Sequence, residues 1–246
     1  MTPITAAKIR KQYGGKTIIQ DVTFTAKKGK TTAIFGPNGS GKTTLLNIIA
    51  GLTRPDGGAV DASYSPFTCS YMFQNYRESL LPWRDNWGNL SYPLEIQGKD
   101  RREIRERVEE ADGFFRKRVD LKKYPYELSG GQQQLLAFMR TLITKPTLLL
   151  LDEPFSALDY EVNLWLRVKL QEYQQKAGAT IIAVTHDVDE AVHIADEIIV
   201  LSKNPTHVAG TIRNKISRPR DAITLTSQKF IKTRKDVLEL FARETQ

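Results

Sequence analysis

Between positions 36 and 43 the chain reads Gly36-Pro37-Asn38-Gly39-Ser40-Gly41-Lys42-Thr43, three glycines ahead of a lysine and a hydroxyl. Glycines let the backbone take conformations closed to other residues and turn successive N–H groups inward, which makes a cradle for a polyphosphate. At that spacing Lys42 reaches the β- and γ-phosphates and the Thr43 hydroxyl binds Mg²⁺. A second pair, Asp152 and Glu153, follows the apolar run Leu148-Leu149-Leu150-Leu151. A buried strand there delivers two adjacent acids to the sheet edge at which α/β proteins bind ligands. On an extended segment successive side chains diverge, so Asp152 is expected to face the metal and Glu153 an attacking water.

The elements that position these groups can be read from local pattern. Residues 17–24 and 31–35 are β-branched and aromatic, with Lys28-Gly29-Lys30 as a turn, so two strands are expected before the glycine loop. After it, residues 44–50 have helical character and stop at Gly51, and Arg54-Pro55-Asp56-Gly57-Gly58 is a strong turn. From about 85 to 145 the period becomes helical: Ile104, Val108, Ala111 and Phe115, then Leu135, Phe138, Met139 and Leu142. Residues 148–151, 180–184 and 197–201 read as buried parallel strands separated by helices over 160–176 and 188–195. A strand near 205–213 and a terminal amphipathic helix over 230–242 complete the pattern, with no internal repeat.

Composition is that of an ordinary globular chain: 246 residues, 40% apolar and 26% charged. No apolar leader is expected in residues 1–15, and the apolar runs fall far short of the roughly 18 residues of a spanning helix. A cytoplasmic chain is therefore expected, with any membrane connection made through a partner. The one cysteine, Cys69, excludes an internal disulfide and a cysteine metal cage, and its apolar-aromatic setting, 67–73, predicts a buried strand residue. A net charge of +8 suits nucleic acid, an anionic surface or a polyphosphate alike. Residues 101–107, where Arg and Glu alternate around Ile104, read as an exposed amphipathic helix.

Leu128-Ser129-Gly130-Gly131-Gln132 resembles the signature motif of ABC ATPases and stands ahead of Asp152 at the usual distance. Ser129 and the glycines open an amphipathic helix, so a hydroxyl, free N–H groups and the helix dipole point at one anion. The resemblance, over about 4–228, implies an α/β fold: a P-loop NTPase (RecA-like) core, an antiparallel β subdomain, an inserted α-helical signature subdomain at about 85–145, and a helical tail, 229–246. It implies ATP and Mg²⁺ as cofactors, held by Tyr13, Gly36, Pro37, Asn38, Gly39, Ser40, Gly41, Lys42, Thr43 and Thr44. Ser129, Gly130, Gly131 and Asp159 serve the ATP of a second subunit in a head-to-tail dimer, expected to be a homodimer. Tyr13 resembles the adenine-stacking aromatic, and Gln74 the glutamine that touches Mg²⁺ and the attacking water. Ser156-Ala157-Leu158-Asp159 resembles the D-loop, and His186 the histidine on the γ-phosphate. Catalysis then falls to Glu153, His186, Gln74 and Lys42, and metal binding to Thr43, Gln74 and Asp152. His193 and His207 match no such position, and Trp165 reads as core packing.

Within that family Leu80-Leu81-Pro82-Trp83 and Ser217-Arg218-Pro219-Arg220-Asp221 look like the nitrate, sulfonate and taurine import ATPases. The stretch between Gln74 and Leu80 is longer than in many of them, and Leu135 stands where an Arg is common. The implied setting is the cytoplasmic face of a membrane, on permease subunits that an external solute-binding protein serves, with 74–87 helping to form the groove for the permease. Nucleic acid is not an expected partner: ABC ATPases of repair or translation usually carry long coiled-coil insertions or two cassettes in one chain. Guanine recognition normally uses Asn-Lys-x-Asp, and Asn214-Lys215-Ile216-Ser217 lacks the acid.

Overall fold

A computed structural model describes residues 4–62, 68–156, 158–203 and 205–244. Phe67 and Ala157, which fall in stretches singled out above, lie outside the described residues. Among the described residues the strands form two sheets. The smaller is antiparallel, with β1 (Ile4–Tyr13) between β2 (Lys16–Ala26) and β4 (Gly57–Asp61). The larger has the order β5 (Cys69–Met72), β6 (Leu148–Asp152), β7 (Thr180–Thr185), β3 (Thr31–Phe35), β8 (Glu197–Leu201), β9 (Val208–Arg213). All its pairings are parallel except that of β9 with β8.

Strands β1 and β4 were not among the expected elements, and the reason is local. In β1 the buried Ile4 and Ala6 give way to Ile9 across a register shift, and Lys8 sits there at φ 49°. A bulge of this kind breaks the period-2 alternation by which a strand is recognised. Opposite it, Gly57 and Gly58, expected as a turn, begin β4. Gly58 has φ 79°, and a Cβ there would collide with the carbonyl oxygens of Ala7 and Lys8, so only glycine permits the approach. Cys69 is on a strand as expected but is half-buried rather than buried.

Helix α1 (Lys42–Ile49) packs between the sheets. Its Leu45, Leu46, Ile48 and Ile49 join Ile9, Ile19 and Val22 of the small sheet and Leu148 and Leu150 of the large one. The alternate residues Leu149 and Leu151 face the other way, into a second core shared with the helices. A fully apolar run was needed because β6 is covered on both faces.

Between β5 and β6 lie the helices α2 (Tyr76–Ser79), α3 (Asn86–Ile96), α4 (Arg101–Phe114) and α5 (Gly130–Leu142). Asp85 and Asp100 cap α3 and α4 by accepting from Gly88 N and Glu103 N. The segment between Gln74 and Leu80 holds the one-turn α2. Leu135, placed where an Arg is common, is 2% exposed in the helical core, an environment that suits leucine and not an unpaired guanidinium. Two further helices, α6 (Tyr160–Ala177) and α7 (Val188–Ile194), connect β6 to β7 and β7 to β8. The last, α8 (Gln228–Arg243), packs on α7, β8 and β9, buries Phe230 and Val237, and sets Phe241 edge-on to Phe35 at 5.5 Å.

Candidate active site

Strand β3 ends at Phe35, and the glycine loop then enters α1 with Gly41 at φ 81° as its N-cap. The left-handed conformation favours glycine, and the space demands it, since a Cβ on Gly41 would lie 2.8 Å from Ile18 Cγ2. Thr206 fixes the loop from behind by donating its hydroxyl to Ser40 O at 2.6 Å. Asn38, Gly39, Gly41, Lys42, Thr43 and Thr44 line one cleft of about 360 Å³, and Tyr13, Ile18, Gln74 and Glu153 complete its wall. Gly36, Pro37 and Ser40 form the loop's base, where Gly36 O and Pro37 O accept from Lys42 Nζ at 3.0 and 2.9 Å. Tyr13 closes the far end of the cleft from the end of β1, half its surface exposed.

Lys42 is 5% exposed, and burial lowers its pKa although Glu153 and Asp152 both favour its charge. Asp152, the last residue of β6, is equally enclosed. Burial, reinforced by the neighbouring Glu153, pushes its carboxyl up to about 6 against the lowering effect of Thr43 and Lys42. Its Oδ1 is buried without a hydrogen-bond partner, and the Thr43 hydroxyl lies against the same carboxylate. An orphaned buried carboxylate oxygen beside a hydroxyl is a hard, all-oxygen donor set, and it fits Mg²⁺.

Glu153 does not continue the strand. It leaves β6 at φ 47°, so the divergence of side chains expected from an extended segment is instead produced by a left-handed residue. For a non-glycine residue this conformation costs about 1–3 kcal/mol, and it is held here by a hydrogen bond from Glu153 N to Val184 O. The turn aims the carboxylate at three expected site residues. Oε1 lies 3.0 Å from His186 Nδ1 and 3.9 Å from Lys42 Nζ, and Oε2 accepts from Gln74 Nε2 at 3.3 Å. The signature helix α5 is tied to this turn, because buried Gln134 donates to Pro154 O at 2.7 Å.

Ser129, Gly131 and Asp159 are brought together elsewhere. They line a separate cleft of about 350 Å³ with Gln132, Leu135, Val162 and Arg118, and Gly130 follows Ser129 as the first residue of α5. Ser129 caps the helix reciprocally: its Oγ accepts from Gln132 N at 3.3 Å while Gln132 Oε1 accepts from Ser129 N at 3.1 Å. Acceptance leaves the hydroxyl proton free to donate, beside the open N–H groups of the first turn. Asp159 caps α6 by accepting from Val162 N at 2.9 Å. Sequence reading missed Arg118, whose guanidinium rests on the Trp165 ring at 4.3 Å; that pairing reaches from beyond α4 across α5 and β6 into α6 and leaves no periodic signal. It agrees with Trp165 as a packing residue.

A parallel strand running into a glycine loop and helix, with adjacent acids at the same sheet edge from β6, one strand removed across β7, defines a phosphate-loop nucleotide-binding domain. A family model described as ABC transporter matches residues 19–156, and the chain belongs to that family. The spermidine/putrescine import ATP-binding protein PotA of Marinobacter nauticus is 35% identical over 91% of this chain and 61% of its own length. The ABC transporter ATP-binding protein MJ0412 of Methanocaldococcus jannaschii is 37% identical over 92% of this chain and 85% of its own. The sulfate/thiosulfate import ATP-binding protein CysA of Xanthomonas campestris pv. campestris is 40% identical over 81% of this chain and 61% of its own. The chain thus spans about three-fifths of the PotA and CysA relatives. Among solved structures, the dimeric bacterial cassette MJ0796 superposes with a TM-score of 0.76 at 27% identity, covering 87% of this chain and 100% of that one. The same cassette in a post-hydrolysis state bound to ADP and Pi gives 0.75 at 26% identity, with the same coverage.

Proposed function

We propose that the chain is the ATP-binding and ATP-hydrolysing subunit of an ABC importer, and that it works as a dimer in which each phosphate loop is completed by the partner's Ser129. The observation that carries this reading is the separation of two clefts on one chain. Lys42, Tyr13 and Glu153 line one, and Ser129, Gly131 and Asp159 line the other. Each is half of a nucleotide site, and a head-to-tail pairing of two copies joins unlike halves twice.

In the joined site the loop amides and Lys42 hold the phosphates, and Tyr13 stacks on the base. Thr43, Asp152 and Gln74 hold Mg²⁺, which when bound neutralises charge on the phosphate oxygens. Glu153 orients a water for in-line attack on the γ-phosphorus and takes its proton, while the bond from the γ-phosphorus to the β,γ-bridging oxygen breaks and ADP leaves with that oxygen. His186 keeps Glu153 aimed through Nδ1 and presents Nε2 to the γ-phosphate, and Ser129 donates from across the interface.

Coupling to transport places the chain on permease subunits at the cytoplasmic face of a membrane. No described helix is long and apolar enough to cross one. Phe73, Trp83, Trp87 and Ile96 are exposed around the segment after Gln74, an apolar surface suited to a permease helix. For the cargo, residues 80–83 and 217–221 favour the nitrate, sulfonate or taurine class, whereas the named relatives above import spermidine/putrescine and sulfate/thiosulfate. Hydrolysis of Mg-ATP by the purified chain, assayed with GTP in competition, tests the reading together with isolation from detergent-solubilised membranes. ATP turnover and recovery with an integral membrane protein are expected. Salt-sensitive, stoichiometric binding to DNA or ribosomes without such a partner would replace it.

A further inference from the structure

Three donors outside the residues given roles above converge on one buried carboxylate. Glu190 on α7 is 5% exposed; its Oε2 accepts from Thr185 Oγ1 at 2.7 Å, and its Oε1 from Asn163 Nδ2 at 3.3 Å and Arg167 Nη2 at 3.5 Å. The donors hold two supports of the active site, the end of β7 before His186 and the segment around Phe155. Thr185 ends β7 directly before His186, and its hydroxyl also accepts from Asp187 N at 3.0 Å. Asn163 lies one helical turn after Asp159, and its amide donates to Phe155 O at 3.2 Å, two residues beyond Glu153. Arg167, itself 7% exposed, sits 5.9 Å from the Phe155 ring centroid.

A buried ion pair contributes little net stability over apolar packing, while a half-satisfied one is costly. What such a group supplies is geometry, because every donor must occupy one place for the carboxylate to be satisfied. We propose that Glu190 is a positioning residue that locks the His186 loop to the segment carrying Glu153 and Asp159. The γ-phosphate contact and the D-loop contact to the second chain are then set together by one side chain. The inference rests on the hydrolytic reading above.

Single-turnover hydrolysis of radiolabelled Mg-ATP by the full chain tests it, with Glu190→Gln, Asn163→Ala, His186→Ala and the Glu190→Gln/His186→Ala double variant. Glu190→Gln is expected to slow hydrolysis about 10-fold while leaving KM for ATP within about 2-fold, the pattern of a displaced catalytic group. Asn163→Ala should slow it in the same direction. The double variant should lose less than the product of the two single losses, since part of the effect of Glu190 passes through His186 and residues acting through one another are not additive. Losses that multiply in the double variant, or a Glu190→Gln rate equal to wild type, overturn the inference. If Glu190→Gln fails to fold, the same cycle between Asn163→Ala and His186→Ala decides the matter by the same criteria. An inactive wild-type chain would instead count against the hydrolytic reading itself.

Discussion

His186 Nδ1 lies 3.0 Å from Glu153 Oε1, so the residue after β7 meets the residue after β6 within reach of Lys42 Nζ, which is 3.9 Å from the same oxygen. Glu153 is thereby held by a ring nitrogen, an ammonium group and, through Gln74, an amide.

Glu153→Gln keeps the size of the side chain but not its basicity. Turnover of Mg-ATP is expected to fall by roughly 10²–10⁴-fold, the range for removal of a general base, with ATP binding retained. Paired measurements of phosphate release and of nucleotide affinity by titration calorimetry check this. A Glu153→Gln chain that turns over at the wild-type rate would remove Glu153 from that role.

Tyr13 contributes a ring to the nucleotide cleft from a half-exposed position and carries no reacting group. Tyr13→Ala should therefore raise KM for ATP about 10-fold with kcat unchanged, and Tyr13→Phe should behave as wild type, because stacking needs the ring and not the hydroxyl. Steady-state kinetics of the three proteins separate the outcomes. A fall in kcat, or a Phe variant as weak as the Ala one, would place Tyr13 in another role.

Part of this arrangement is legible in the sequence. The glycine loop, the acids after Leu151, and Ser129 at a helix start are local patterns whose chemistry depends on neighbours in sequence. Strand β1 was not legible, since its bulge at Lys8 breaks the alternation, and neither was β4, whose two glycines mimic a turn. The aim of Glu153 depends on one left-handed residue, which an extended-strand argument replaces with the wrong geometry. Glu190, Asn163 and Arg167 were invisible for a different reason. Polar residues on helices read as surface until tertiary packing places 163, 167, 185 and 190 around one point.

His193 is fully buried on α7, with Nε2 facing Asp221 O at 3.2 Å, its ring near Phe230 and its Nδ1 without a partner. Burial lowers its pKa from 6.5 to about 4. The unfolded chain therefore binds the proton first, so stability falls as pH drops through the window from about 6.5 to about 4 and is intact above it. The full effect is on the order of 3 kcal/mol. Urea unfolding of wild type and His193→Gln across that window checks it, because the difference between them cancels the other titrating groups. The wild type should lose stability relative to the variant on acidification, and parallel curves would contradict the assignment.

The central claim is that the Lys42 cleft is half of a site and the Ser129 cleft the other half. Light scattering coupled to size exclusion, run on Glu153→Gln with and without Mg-ATP, tests it most directly when repeated on Glu153→Gln/Ser129→Arg. The account predicts an ATP-dependent dimer for the first protein, and a monomer that still binds ATP for the second. A dimer that persists with Ser129→Arg, or no dimer from Glu153→Gln at saturating ATP, would contradict it.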